Sequence, residues 1–262
     1  MFAASGIAFA EITTCNPNFG SADLKQASVV LIGEQHDNAA HHATQTCIVR
    51  ELRPAAVVFE MISGPRARSL TSDDRNSEEQ LRNKLDWENS GWPDFSMYYP
   101  IFAAAQDAVI YGAALPRQTV RDAFSDGAAS QFQGDTVRFD LDAALPPDEQ
   151  AAREDMQFQA HCHAMPREMM GGMVEAQRLR DAELARVTIL ALEETGGPVV
   201  VILGNGHART DWGVPVYLRA AMPDLNFISI GQVEGEPSAD PPYDIVLAGP
   251  EIERGDPCAA LK

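Results

Sequence analysis

The chain has 262 residues, 45% of them hydrophobic, and a formal charge of −18. That length suits one α/β domain with an insertion, and the apolar fraction is enough for a full core. The charge, with basic residues scattered rather than in runs, argues against a nucleic-acid partner and against docking on anionic lipid. No apolar stretch approaches the roughly 20 residues that span a bilayer.

Residues 1–14 read as a tail ahead of a single domain over 15–262. Ala8-Phe9-Ala10 has the form of a signal-peptidase site, but no positive region precedes it, so the tail reads as a truncated export signal. That places the protein in the periplasm or at the outer membrane. Ile12-Thr13-Thr14-Cys15 approximates a lipoprotein box, with threonine a poor fit before the cysteine. The four cysteines, Cys15, Cys47, Cys162 and Cys258, contain no C-x-x-C pair, which disfavours a structural zinc knuckle. In an oxidising compartment the preferred pairing of the three available is Cys15 with Cys258 and Cys47 with Cys162.

Residues 29–32 are a β-branched run that reads as a buried parallel strand, ending at Gly33. Glu34, Gln35, His36 and Asp37 follow at once. Asp37 or Asn38 then caps a helix running to about Arg53, where Pro54 stops it. Residues 55–60 form a second strand closed by Glu60. Ser77-Glu78-Glu79-Gln80 is a capping box opening a helix that Gly91 closes. Trp87, Trp92, Phe95, Tyr98 and Tyr99 are an aromatic patch. Such a patch ordinarily packs a core, and it equally suits a flat apolar ligand with an iron centre. A third strand covers 108–112. Residues 119–172, rich in Asp, Gln, Ala and Pro, read as a mainly helical insertion over the carboxyl edge of the strands. A long helix over 174–194 ends at Gly196-Gly197-Pro198, and further strands fall at 199–203, 225–230 and 243–247. Strands alternating with helices define an α/β fold with a mostly parallel sheet and flanking helices.

Ligands of such sheets bind where strands end at their carboxyl edge. Glu34 and His36, then Glu60, then His207 in Gly204-Asn205-Gly206-His207-Ala208-Arg209 all fall there. Taken singly, each is an ordinary structural histidine or helix cap; together they predict a functional site. Glu34, His36, Glu60 and His207 could ligate a divalent metal. They could also perform acid–base catalysis on a carbonyl or ester, with Arg209 stabilising an anion. There is no G-x-S-x-G elbow, no H-E-x-x-H helix and no phosphate loop. His41 and His42 are about 100° apart on their helix, so only one is expected to face the sheet edge. His161 and His163, flanking Cys162, are placed to close over the site.

These motifs resemble the ChaN-type haem-binding uptake family, in the larger group containing Tiki and TraB proteins. The resemblance runs through Gly33–Asn38 with His41, His42 and Gln45, then Phe59-Glu60-Met61, Trp87, Gly91-Trp92 and Tyr98-Tyr99-Pro100. It continues through the 173–181 segment into Gly204–Arg209 and Gly213-Val214-Pro215. It implies an α/β fold with a helical insertion, haem as cofactor, and a role in iron and haem uptake at the cell envelope. A homodimer pairing two haems is part of that expectation. Tyr98 aligns with a family tyrosine and, with His41 and His42, is expected to contact haem. More distant relatives are metal-dependent proteases and esterase-like enzymes, which makes a hydrolase using Glu34, His36, Glu60 and His207 the alternative. Ala113-Ala114 departs from the more polar strand end expected in the family.

Overall fold

The structure, a computed structural model, describes residues 22–256, 258 and 259. The signal-like tail, the lipoprotein-like box and any bond of Cys15 lie outside the described residues. Six strands build one sheet: β1 (Val29–Glu34), β2 (Ala56–Phe59), β3 (Val109–Gly112), β4 (Val199–Gly204), β5 (Phe227–Glu234) and β6 (Ile245–Gly249). Their spatial order is β3-β2-β4-β1-β5-β6, and every pairing is parallel. Each apolar run of the sequence supplies one strand. β1 and β4 are buried at every position, as strands covered on both faces must be when their residues do not alternate.

After β1 the chain moves to one side for β2 and β3, returns to insert β4, then crosses to β5 and β6. Strand order therefore reverses around β1 and β4, and their carboxyl ends, Glu34 and Gly204, are adjacent in register. A crevice at such a reversal is the usual ligand position in open α/β sheets. Helices cover both faces. Phe59, Phe95, Tyr98 and Phe102 form one core with Ile48 and Val49 of the Ala39–Leu52 helix. Leu31, Val58 and Val201 form the other with Leu179 and Leu184 of the Met170–Thr195 helix.

The helix signals act largely as their chemistry dictates. Asn38 accepts a hydrogen bond from the Ala40 amide, and Arg53 closes that helix in the left-handed region. Gly196, with φ of 77°, ends the long helix. Ser77 caps a helix over Glu78–Leu85, but Asp86 rather than Gly91 terminates it: the Asp86 amide takes the Arg82 and Asn83 carbonyls. The burial of Trp87 immediately afterwards turns the chain into the core. Between β3 and the long helix lie the helices Arg117–Asp126, Ala128–Gln131 and Pro147–Ala160.

The expected cysteine pairing is corrected. Cys162 bonds to Cys258, with Cα atoms 5.4 Å apart, and Cys47 is also disulfide-bonded. The physical reason is the path of the C-terminal segment, which runs from β6 past the carboxyl edge. There Arg254 pairs with Asp37 and Glu234, and the chain continues to Cys162 in the loop after the Pro147–Ala160 helix. Among the described residues no helix is long and apolar enough to cross a membrane.

Gly33 is where backbone must approach backbone. A Cβ there would lie 2.5 Å from Asn205 Oδ1 and 3.1 Å from Ala208 Cβ. Asn205 cannot yield, because its side chain spans the Gln232 amide and carbonyl. Gly33→Ala is therefore expected to destabilise the fold by about 1–3 kcal/mol, read as a lower urea midpoint at unchanged m-value.

Candidate functional site

Glu34 ends β1 almost fully buried, 1% exposed, and a carboxylate in that position needs partners for both oxygens. Its Oε1 accepts from the Tyr98 hydroxyl at 2.8 Å and from His36 Nδ1 at 2.7 Å. Its Oε2 accepts from Gln45 Nε2 at 2.7 Å. The donors come from three different segments, so one charge ties two helices of that face to the sheet edge. Because His36 donates from Nδ1, its Nε2 carries the lone pair in the neutral ring, and this nitrogen lies against Gly204. Burial opposes protonation of His36, but the bond to Glu34 and the charge of Glu60 outweigh it and raise its pKa.

A second cluster lies beside the first. Glu60 follows β2, and its Oε2 accepts from the Gly204 amide at 2.7 Å. His207, in the turn after β4, approaches Glu60 Oε1 with Nε2 at 3.4 Å and Asp181 Oδ1 with Nδ1 at 2.5 Å. An imidazole with a carboxylate on each nitrogen holds both protons. Burial disfavours that charge, yet Glu60 and Asp181 override it and raise the His207 pKa to about 10. Burial would raise Glu60, but the neighbouring imidazolium holds it at about 2. Asp181 is held above the usual carboxylate range by its burial, with the charge of Glu60 adding to the effect.

The second cluster forms one end of a cleft of about 940 Å³ bordered by Glu60, His207, Trp92 and Ala114, while Glu34 and His36 border a smaller hollow of about 450 Å³ that His207 shares. Arg117, Arg121 and Arg180 line the larger cleft too. Val120, Arg121 and Arg180 also border a neighbouring hollow of about 530 Å³ with Phe124, His161 and Met173, so the two make one groove. Arg117 donates only to the Ser90 carbonyl and Arg121 only to Gln118. Arg180 is exposed. None of the three has a carboxylate partner among the described residues, in a chain with 38 acidic and 20 basic side chains. Arg117 and Arg121 are exposed as well, and cations bordering one groove are chemically suited to an anion.

The family described as haem-binding uptake, Tiki superfamily, ChaN, matches residues 21–218. The chain belongs to this family. A solved structure, "Cofacial heme binding to ChaN of Campylobacter jejuni", is 20% identical, with TM-score 0.67, over 85% of this chain and 88% of that one. The type III effector HopBA1 is 13% identical with TM-score 0.51, over 91% of this chain and 96% of that one. At these identities the likeness is one of fold. No curated protein matches the chain.

For this ChaN-family chain the structure gathers Glu34, His36, Glu60 and His207 at one edge, as the parallel strands require. It does not make them a coordination set. Their inward-facing atoms are already committed to one another, to Tyr98, Gln45 and Asp181, and to the Gly204 amide. Among the described residues no group of three His, Cys, Asp or Glu is placed to hold a metal ion. Arg209 is corrected as an anion stabiliser, since its guanidinium is occupied by Asp211 and stacks 4.2 Å over the Trp212 ring.

The expected haem contacts His41, His42 and Tyr98 are also corrected, because all three are at most 2% exposed. His42 donates from Nε2 to the His36 carbonyl, His41 Nδ1 accepts from the Gln35 amide, and Tyr98 serves Glu34. Both consecutive histidines are buried because the helix is covered on two sides: Tyr98 packs on His42 at 4.3 Å and Gly249 lies against His41. Residues that sequence reasoning left without a role are Asp181 and the three arginines. Asp181 lies on the buried side of its helix, where Arg178, Glu183 and Thr188 are buried too, so no charge pattern in the sequence marked it.

The His207 shift fixes a pH dependence. Its folded value of about 10 exceeds the ordinary 6.5, so its contribution to stability is complete below pH 6.5 and lost as pH rises through 10. Unfolding free energy, measured by urea titration across that window, should fall steadily in the wild type. In His207→Gln the same stretch should be flatter, with lower stability at pH 7.

Proposed function

We propose that this ChaN-family protein binds haem in the groove between the sheet edge and the Arg117–Asp126 helix, as part of haem and iron uptake at the cell envelope. The observation that carries this reading is the trio of unneutralised guanidiniums beside apolar walls. Haem presents the matching chemistry, an apolar macrocycle edged by two carboxylates. Arg121 and Arg180 border both halves of the groove and are suited to the propionates, while Val120, Phe124 and Met173 supply apolar surface. Bound haem would bring an iron centre whose behaviour its ligands set. A homodimer that stacks two haems belongs to the same proposal, supported by the cofacial haem of the Campylobacter jejuni protein. The envelope location is supported by the Cys162–Cys258 disulfide, a bond that persists in oxidising compartments.

A second reading, hydrolysis of an ester or peptide, is favoured by one observation. The His36 side chain remains 33% exposed with Nδ1 held by buried Glu34, the arrangement of an oriented general base. The His207 imidazolium beside it would stabilise negative charge developing on a carbonyl oxygen. On this reading His36→Ala abolishes turnover of an ester panel while haemin binding persists. No turnover by the wild type retires it.

Haemin titration tests the main reading. The wild type should develop a shifted Soret band that saturates at a fixed stoichiometry, and sedimentation should report the mass of the loaded species. Arg121→Ala and Arg180→Ala should each weaken binding about tenfold, the value of one lost charge-assisted contact. A wild-type titration indistinguishable from haemin in buffer would end the proposal.

A further inference from the structure

We propose that the outer edge of β3 is a docking groove for an extended peptide segment, which adds to the sheet as a further strand and carries apolar side chains and an acidic residue. This docking does not depend on haem. β3 ends the sheet, with β2 on one side and no strand on the other among the described residues. The Val109 amide donates to the Ala55 carbonyl and the Ala113 amide to the Phe59 carbonyl. Backbone groups alternate sides along a strand, so those of Ile110 and Gly112 point away from β2. They have no hydrogen-bond partner among the described residues. Yet Ile110 is only 5% exposed and Gly112 is buried. Unpaired backbone groups on buried residues are rare in folded proteins.

That edge floors a groove of about 870 Å³ between the Gly64–Arg68 helix and the Met170–Thr195 helix, and every residue of β3 borders it. The strand reads Val-Ile-Tyr-Gly, without the charges or prolines that usually guard an edge. The walls suit alternating apolar side chains. Val109 and Leu190, 49% and 36% exposed, are two of the four large apolar side chains left exposed among the described residues. Both border the groove, as does Leu70. In strand addition main-chain bonds supply affinity and such side-chain contacts supply specificity. The Gly64–Arg68 helix packs beside β3 and narrows the opening to a slot. A single extended chain fits it, whereas the edge of a second copy would bring its own flanking helix.

Charge adds a polar requirement. A Cβ on Gly64 would lie 3.0 Å from an Arg68 guanidinium nitrogen and 3.6 Å from the Gly112 carbonyl oxygen, so Arg68 stands at the carboxyl end of β3. It has no carboxylate partner among the described residues. Of the other charges on the groove, Glu183 pairs with Arg186, and Glu194 accepts from the Tyr111 hydroxyl. An acidic residue at that end of the added strand gives Arg68 its partner.

The test selects a random dodecamer display library on the wild type, with the double variant Arg68→Glu, Leu190→Glu as counter-target. Both side chains are exposed, so the double variant should keep the wild-type urea midpoint. Enriched peptides should alternate apolar residues and carry Asp or Glu toward one end. A synthetic enriched peptide should slow hydrogen exchange at the Ile110 amide and bind either single variant about tenfold more weakly. N-methylation of its alternate amides should cost about tenfold or more, which tests strand pairing on the wild type alone. No enrichment, equal binding to the double variant, or undiminished binding of the N-methylated peptide each overturns the proposal. Sedimentation of the free protein has its own outcome: a dimer that the double variant abolishes gives the groove to a second copy and overturns the peptide assignment.

Discussion

The structure depends on a carboxylate taken out of water. Glu34 stands at the end of a central strand, where an ionised group without partners would be prohibitively costly. Its oxygens are satisfied by Gln45 from one helix, Tyr98 from a second and His36 from the connecting turn. The requirement to satisfy one charge thus dictates how two helices sit over the sheet. Across the sheet the same logic recurs with opposite signs: Asp181, buried in the Met170–Thr195 helix, reaches His207, which reaches Glu60. Each helical layer is locked to the strand ends by a charged network. Such networks fix geometry more surely than they add stability, since removing one member leaves another charge buried and unpaired.

The sequence made much of this legible for a simple reason. All strands are parallel, so residues that immediately follow β-branched runs must fall on one edge. Glu34, Glu60 and His207 could be placed together without knowing the strand order. The helix caps at Asn38 and Gly196 were readable because they act within a few residues. What stayed hidden depends on separated segments meeting. Tyr98 appeared as a ligand contact because an aromatic before a proline does not reveal that its hydroxyl points inward to a carboxylate 64 residues earlier. His41 and His42 could not be separated from the site by helical spacing alone, because the helix is covered by Tyr98 on one side and β6 on another. The arginines of the groove escaped notice because no run marks them. Arg117 and Arg121 are one helical turn apart, and Arg180 joins them only through packing of two helices.

Charge distribution gives the groove its meaning. A net charge of −18 repels anions at long range, but the Debye length at physiological salt is about 8 Å. A ligand that has reached the groove responds to the groove's own charges. Arg117, Arg121 and Arg180 line it, while Glu60, the one carboxylate that lines it among the described residues, is paired with His207. The internal pairing of the sheet-edge cluster therefore matters beyond stability, because an unpaired Glu60 would oppose any anion the arginines attract.

The family match ends at residue 218, before β5 begins at Phe227. The chain nevertheless uses its last segment to complete the edge. β5 and β6 extend the sheet beside β1, Asn38 donates to Glu234 and to the Pro250 carbonyl, and Arg254 bridges Asp37 and Glu234. Cys258 then closes onto Cys162, 96 residues earlier. That covalent closure removes entropy from the unfolded chain, a contribution of about 4–5 kcal/mol on the loop-entropy model. Its local consequence is more specific. The residue it anchors neighbours His161, so a segment beyond the family match holds in register the loop that borders the groove.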